Sequence, residues 1–341
     1  MIEFQPPPLT DAQRAAVEML ASARTMLLTG HERPDGDCVG SQAALARMLT
    51  ALGVDCFVIN PDPPEQRYGD VITSARFIVD DGGPLPEHDV AVVLDGGDLS
   101  RTGTLAERLK AAPSNKVVID HHVHDGDAWW DAAFVDTSAS ATGVLVRRIG
   151  AHLGAPIDEQ TALALYTTLV MDTGWFKYSN TDAETMLLAA ELVERGVQPA
   201  AVYRDLFQRQ DRAHARTLSA ALARTSYYAD GALAVIDLPL QPDGTQLDVD
   251  GDVVLDVLRA VEPVEVALLL RAIEPARCKL SARSKGPFDA QRLAAAFGGG
   301  GHVKAAGATL DCDITKAKQV LVDTALAQMD GAGSAAEEEG A

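Results

Sequence analysis

The segment GHERPDGDCVGS at 30–41 gathers one imidazole and two carboxylates, His31, Asp35 and Asp37, into a single short loop. Hard divalent cations take carboxylate oxygen, and an imidazole among the ligands shifts preference toward manganese, iron or zinc over magnesium. Gly36 and Gly40 permit a tight turn, so one loop can feed two ions. A plainer role fits the same residues: a β–α loop whose aspartates cap a helix beginning near Ser41. Three more segments repeat these residue types. VVLDGGDLSRTG at 92–103 ends an apolar run on Asp95 with paired glycines behind it, and VVIDHHVHDGD at 117–127 ends one on Asp120, His121 and His122. LVMDTGWFKYSNT at 169–181 ends an apolar helix on Asp172, where a buried carboxylate is costly without a cation or donor. An aspartate after a strand is often only a cap, and paired histidines are often surface residues. Joint occurrence in four segments favours a shared metal centre.

The elements that must position these groups are readable from hydrophobic patterning. TMLLTG at 25–30, CFVIN at 56–60, VAVVLDGG at 90–97 and KVVIDHH at 116–122 read as short buried strands, and SQAALARMLTALG at 41–53 as a helix stopped by Gly53. That alternation predicts β–α–β units and a mostly parallel sheet flanked by helices. Parallel sheets collect chemistry at the carboxyl ends of their strands, where His31, Asp95 and Asp120 all fall. From about Asp158 the pattern turns helical. Beyond Ala223, GALAVIDL, PVEVALLLRAIE and CKLSARS read as strands, and FDAQRLAAAFGGGG as a helix running into a glycine loop. The expected domains are an α/β catalytic domain over 1–195, a helical connector over 196–224, a smaller α+β domain over 225–329, and a disordered acidic tail over 330–341. Met19, Met26, Met48, Met171 and Met186 lie in apolar stretches and read as core filler.

With 341 residues and 47% hydrophobic content the chain can bury two cores. Its four cysteines show no short paired spacing, which argues against a zinc knuckle or a disulfide framework and suits a reducing cytoplasm. No stretch reads as a signal peptide or a membrane span. A net charge of −20 makes long duplex DNA a poor partner, because such ligands are gripped by basic surfaces. The stretch from Arg271 to Lys304 is locally basic, so a small phosphate-bearing substrate held by metals and one basic patch is the expected ligand.

The four motifs, in this order, resemble the DHH phosphoesterases, named for the triplet standing here as Asp120, His121 and His122. SARSKGPFDAQRLAAAFGGGGHVKAAG at 281–307 is similar to the DHHA1 nucleotide-binding module, with its RS pair and GGGGH loop. The resemblance spans residues 30–307. Within the family, the chain's length most resembles the NrnA-type oligoribonucleases that also dephosphorylate adenosine 3′,5′-bisphosphate. The resemblance implies two divalent cations, manganese first and magnesium second. His31, Asp35 and Asp95 would hold one, Asp37, Asp95, His121 and Asp172 the other, with Asp95 bridging and a water activated by the pair as nucleophile. Asp120 would orient His121 through its other ring nitrogen, and His122 would face the scissile phosphate.

Arg101, on the loop after Asp95, is expected to neutralise phosphate, although a solvated arginine fits as well. Arg283 and Ser284 are expected to hold the far end of the substrate. Gly299, Gly300 and Gly301 would offer backbone N–H groups to phosphate oxygens, with His302 as a further donor, unless the run is merely a helix stop. Trp129 and Trp130 read as core edge, Phe176 and Tyr178 as active-site wall, and His124, His152 and His214 show no metal spacing. The substrates implied are short RNA and adenosine 3′,5′-bisphosphate. The alternatives are cyclic or linear dinucleotides, short single-stranded DNA and, further off, inorganic pyrophosphate or a non-catalytic nucleotide sensor. A homodimer is implied by analogy only.

Overall fold

The computed structural model describes residues 4–124 and 127–338, with the backbone alone for 331–338. Two compact units divide the chain between Arg209 and Gln210. The first runs α1 (Asp11–Ser22), β1 (Thr25–Thr29), α2 (Gly36–Ala51), β2 (Asp55–Asn60), α3 (Gly69–Ile72), β3 (Phe77–Val79) and β4 (Val90–Leu94). It continues with α4 (Ala106–Ala111), β5 (Asn115–Asp120), β6 (Ala132–Val135), α5 (Thr142–Leu153), α6 (Glu159–Asp172), α7 (Ala183–Glu194) and α8 (Pro199–Phe207). Its six strands stand in the order β3-β2-β1-β4-β5-β6, and every pairing is parallel.

Alternation along each strand divides the core into two layers. Met26, Leu28, Val58, Val92 and Ile119 face the layer made with α2, α5 and α6. Leu27, Phe57, Val93 and Val118 face the other layer, which Leu105, Leu109 and Trp129 help fill. Both faces are covered, which explains why the strands read as unbroken apolar runs. Strand order reverses between β1 and β4, and a doubly wound sheet opens a crevice at its carboxyl edge at such a point.

α2 begins at Gly36, earlier than the expected start near Ser41. The reason is local: Asp35 caps it, one carboxylate oxygen accepting the N–H groups of Asp37 at 3.0 Å and Cys38 at 3.1 Å. The earlier start puts Asp37 in the first turn with its side chain fully buried. β3, β6 and α5 lacked a sequence assignment. Met186 is half exposed on α7, not core filler, whereas Met26 and Met48 are buried.

The second unit contains α9 (His214–Leu222), β7 (Thr225–Tyr228), β8 (Leu233–Leu238), α10 (Gly251–Arg259), β9 (Val266–Glu274) and β10 (Arg277–Ser284). After these come α11 (Ala290–Ala295), β11 (Gly300–His302), β12 (Ala305–Leu310) and α12 (Ile314–Glu338). Its mixed sheet has the order β11-β12-β10-β9-β8-β7, with β8 and β9 parallel and the other pairs antiparallel. The unit boundary falls within the segment read as a connector. α8 packs Val202 and Leu206 into the first core, and α9 packs Ala221 into the second unit. The acidic tail continues α12 in backbone to Glu338, and residues 339–341 lie outside the described residues. Among the described residues, no helix is long and apolar enough to cross a membrane.

Candidate metal centre

The carboxyl ends of β1, β4 and β5 deliver His31, Asp95 and the Asp120–His122 triplet to one place. His31 Nδ1 lies 2.7 Å from the Glu32 carbonyl, so that nitrogen carries its proton and Nε2 faces inward. Nε2 is 3.5 Å from Asp95 Oδ2 and 3.8 Å from Asp35 Oδ1. His121 repeats the arrangement. Its Nδ1 is 3.1 Å from the Ala139 carbonyl, and its Nε2 is 3.1 Å from Asp172 Oδ2, 3.6 Å from Asp95 Oδ1 and 3.7 Å from Asp37 Oδ2.

Asp95 sits between the two clusters. One oxygen faces His31 and the other faces His121 and His122. Its backbone is left-handed, with φ of 58°, a conformation that turns the side chain out of the strand line; aspartate tolerates it better than most residues. Asp95 N–H still reaches the Ile119 carbonyl at 3.1 Å, so the turn happens only after the ladder ends.

The N-terminus of α5 braces the carboxylates. Thr142 N–H donates to Asp37 at 2.7 Å and Gly143 N–H at 3.1 Å, while the Thr142 hydroxyl donates to Asp95 Oδ1 at 3.1 Å. Helix-start amides are otherwise unsatisfied and carry partial positive charge, so they suit a buried anion. Gly143 is obligatory, because a Cβ there would stand 1.8 Å from Thr168 Oγ1. The Ser41 hydroxyl adds a third donor to Asp37, at 3.1 Å. Sequence reasoning missed Thr142, Gly143 and Ala139; the available signal was the helix-start pattern SASATG after β6.

Asp120 differs from expectation. Its carboxylate accepts Gly97 N–H at 2.7 Å and the His122 backbone N–H at 3.1 Å, and holds His122 Nδ1 at 2.7 Å. It therefore orients His122, while the Ala139 carbonyl does that for His121. The reason is chain direction: Asp120 ends β5, and a two-residue turn brings the second histidine, not the first, back over it.

The electrostatics match a site built for cations. Burial disfavours a charged His31, but Asp35 and Asp95 outweigh it and push its pKa up to about 10. Burial likewise opposes charge on His121, yet Asp172, Asp37 and Asp95 lift it to about 11. Burial and then the neighbouring Asp95 and Asp172 carboxylates push Asp37 well above its usual range. Asp172 is raised by burial despite the His121 hydrogen bond. Asp120, stabilised by His122 against its burial, is held well below the ordinary carboxylate range. The donor atoms of Asp95, Asp120, His121 and His122 lie within 4.8 Å of one another, as do those of Asp37, His121 and Asp172, and those of His31, Cys38 and Asp95. Oxygen and imidazole donors in overlapping groups fit two hard-to-borderline divalent cations. Cys38 was not singled out in sequence; its thiol is fully buried and accepts from Gln42 at 3.4 Å.

Arg101 is exposed on the short helical turn after Asp95, and its carbonyl accepts Glu32 N–H at 2.7 Å, tying the first two motif loops together. Phe176, half-buried, packs edge-on against Tyr166 and Trp175 at the margin of the first core. In the second unit Ser284 is buried and donates its hydroxyl to the Phe288 carbonyl at 2.9 Å. It closes a loop of its own chain, contrary to the substrate contact expected. Arg283 pairs with exposed Asp252 at 2.7 Å. Lys285 caps α10 through three carbonyls, and Lys304 binds the carbonyls of Gly286 and Phe288. Much of the basic stretch is therefore committed to local carbonyls and carboxylates. Gly299 allows close approach to β12, since a Cβ would stand 2.1 Å from the Gly307 carbonyl. Gly300, Gly301 and His302 form β11, an exposed edge strand in place of the expected loop.

A parallel sheet carrying carboxylates and imidazoles on both sides of its switch point, with a separate mixed-sheet unit, defines a two-part α/β protein with an acidic and histidine cluster able to hold metal. The chain belongs to the DHH family: the DHH family N-terminal domain matches residues 25–169, and the DHHA1 domain matches residues 244–330. It is 30% identical to the bifunctional oligoribonuclease and PAP phosphatase NrnA of Thermus thermophilus, over 95% of this chain and 96% of that protein. It is 25% identical to the protein of the same description from Bacillus subtilis, over 84% of this chain and 89% of that one. A solved exopolyphosphatase-related protein from Bacteroides fragilis superposes with a TM-score of 0.84 at 26% identity, covering 93% of this chain and 97% of its own.

Proposed function

We propose that this chain is a two-cation phosphoesterase that hydrolyses very short RNA and removes phosphate from adenosine 3′,5′-bisphosphate. The carrying observation is the division of Asp95, one oxygen toward His31 and the other toward His121. A carboxylate so placed can serve two ions at once. His31, Asp35 and Asp95 would hold one, and Asp37, Asp95, His121 and Asp172 the other. Manganese is the first choice of ion, because imidazole takes part at both positions. When bound, such a pair acidifies water and neutralises charge growing on a phosphoryl group. Similarity to the two NrnA proteins along nearly the whole chain supports the substrate class.

The protein's own groups supply the rest. Thr142 and Gly143 fix Asp37, and the Ala139 and Glu32 carbonyls fix the ligand tautomers of His121 and His31. Asp120 holds Nδ1 of His122, which lets that ring present its other nitrogen to the phosphate and pass a proton to the leaving oxygen. Arg101 meets the phosphate from the loop after Asp95. In the second unit, Arg283 and His302, with the exposed backbone of β11, are the groups that would bind phosphate. Four free thiols suit a reducing cytoplasm.

The test is a panel of labelled RNAs and DNAs from the dinucleotide upward, with adenosine 3′,5′-bisphosphate and cyclic dinucleotides, assayed with manganese and then with magnesium. Turnover should be fastest on the shortest RNAs and measurable on the bisphosphate. A clear preference for cyclic dinucleotides or for DNA would overturn the substrate assignment, and no turnover with any cation would overturn the reaction.

A further inference from the structure

We infer that His124 is a positioning residue for His122, acting through Asp120; the inference rests on the hydrolytic reading above. Asp120 is fully buried and shares its two oxygens between two histidines. Oδ1 holds His122, and Oδ2 faces His124 Nε2 at 3.4 Å. Nε2 of His124 is itself buried and makes no hydrogen bond, so Asp120 is the polar group it addresses.

The ring is held in that place from several sides. It packs on Trp130, centroids 5.4 Å apart, and Trp130 meets Trp129 edge-on at 5.7 Å. Trp129 donates its indole N–H to the Gly97 carbonyl at 2.8 Å, while Gly97 N–H donates to the same Asp120 oxygen that faces His124. The ring also occupies the space beside Gly97, where a Cβ would fall 1.4 Å from His124 Cε1. That contact explains the second glycine of the D-G-G sequence after β4: any side chain at 97 evicts the imidazole. Gly97, Trp129 and His124 thus form a bracket around Oδ2.

The consequence for catalysis is geometric. A carboxylate whose two oxygens have different partners cannot rotate without losing one of them. Held on the Oδ2 side by Gly97 N–H and His124, Asp120 keeps Oδ1 against His122 and fixes that ring's tautomer and plane. Without His124, Asp120 loses the ring that faces Oδ2 and gains a vacated volume to turn into. His122 then samples orientations that cannot deliver a proton to the leaving oxygen.

The test separates donor from packing. His124→Phe keeps a ring against Trp130 and Gly97 but removes the nitrogen, whereas His124→Gln restores an N–H donor near the Nε2 position. With a labelled RNA dinucleotide and manganese, His124→Phe should lower kcat on the order of tenfold or more, with KM and calorimetric manganese affinity unchanged. His124→Gln should recover much of that loss. In a His122→Ala background, His124→Phe should have no further effect on kcat, because both changes act on one step. Full activity of His124→Phe, or additive losses in the double variant, overturns the inference. Normal activity of His122→Ala alone overturns instead the role given to His122.

Discussion

Thr142 donates its backbone N–H to Asp37 at 2.7 Å across 105 residues of sequence. The same residue gives its hydroxyl to Asp95 at 3.1 Å, so the first turn of α5 holds one carboxylate from each of the first two motifs. Thr142→Val keeps the backbone bond and deletes the hydroxyl. Manganese affinity should fall by roughly ten- to a hundredfold, as for other groups that orient metal ligands. Calorimetric titration measures this, with circular dichroism as the check on folding, and unchanged affinity would remove Thr142 from the site.

Asp95→Ala should abolish manganese-dependent hydrolysis while leaving the protein folded. It removes the group shared by both clusters, and it also relieves crowding among buried carboxylates. Thermal unfolding in chelator should therefore show no loss of stability relative to the parent. Near-normal turnover would reject the shared-ligand assignment.

Metal binding should release protons and strengthen with rising pH. Without cations, His31 and His121 keep their protons up to about 10 and 11. Coordination through Nε2 must expel them, so at neutral pH each imidazole bound costs one proton. Lowering the pH favours the protonated, metal-free form; raising it toward the pKa of each ring removes the competition. Titrations in two buffers of different ionisation enthalpy would reveal the protons, and a pH-independent affinity with none released would contradict the scheme.

Ser284 and Arg283 are neighbours with separable effects. Ser284→Ala leaves the Phe288 carbonyl with Lys304 alone as donor and should destabilise the second unit by about 0.5–1.5 kcal/mol, with little change in KM for folded protein. Arg283→Ala breaks an ion pair with an exposed partner, worth about 0–1 kcal/mol, and a bond to the adjacent Ala282 carbonyl, and should instead raise KM for short RNA with manganese affinity intact. Equal loss of substrate and metal binding in Arg283→Ala would contradict its assigned place.

Chain order and residue type were sufficient for the strands of the first sheet. Four unbroken apolar runs, three of them leading into Asp or His, marked β1, β2, β4 and β5, because strands buried on both faces cannot alternate. β3 escaped notice because its residues are largely exposed at a sheet edge, and β6 because AAFV is too short to carry a pattern. Residue types and their clustering pointed to a metal centre, and the family resemblance then singled out the six candidate ligands. Sequence could not say which neighbour Asp120 would hold, nor that Ser284 would turn inward.

Tertiary structure decided those points for one physical reason. A hydrogen bond or ion contact depends on which groups meet after the chain has closed, and Thr142, Ala139, Gly97 and His124 reach the site only through the stacking of β4, β5 and α5. Residue types on separate strand ends determined that charge would concentrate at one sheet edge. The packing around that edge determined which atoms hold it in register.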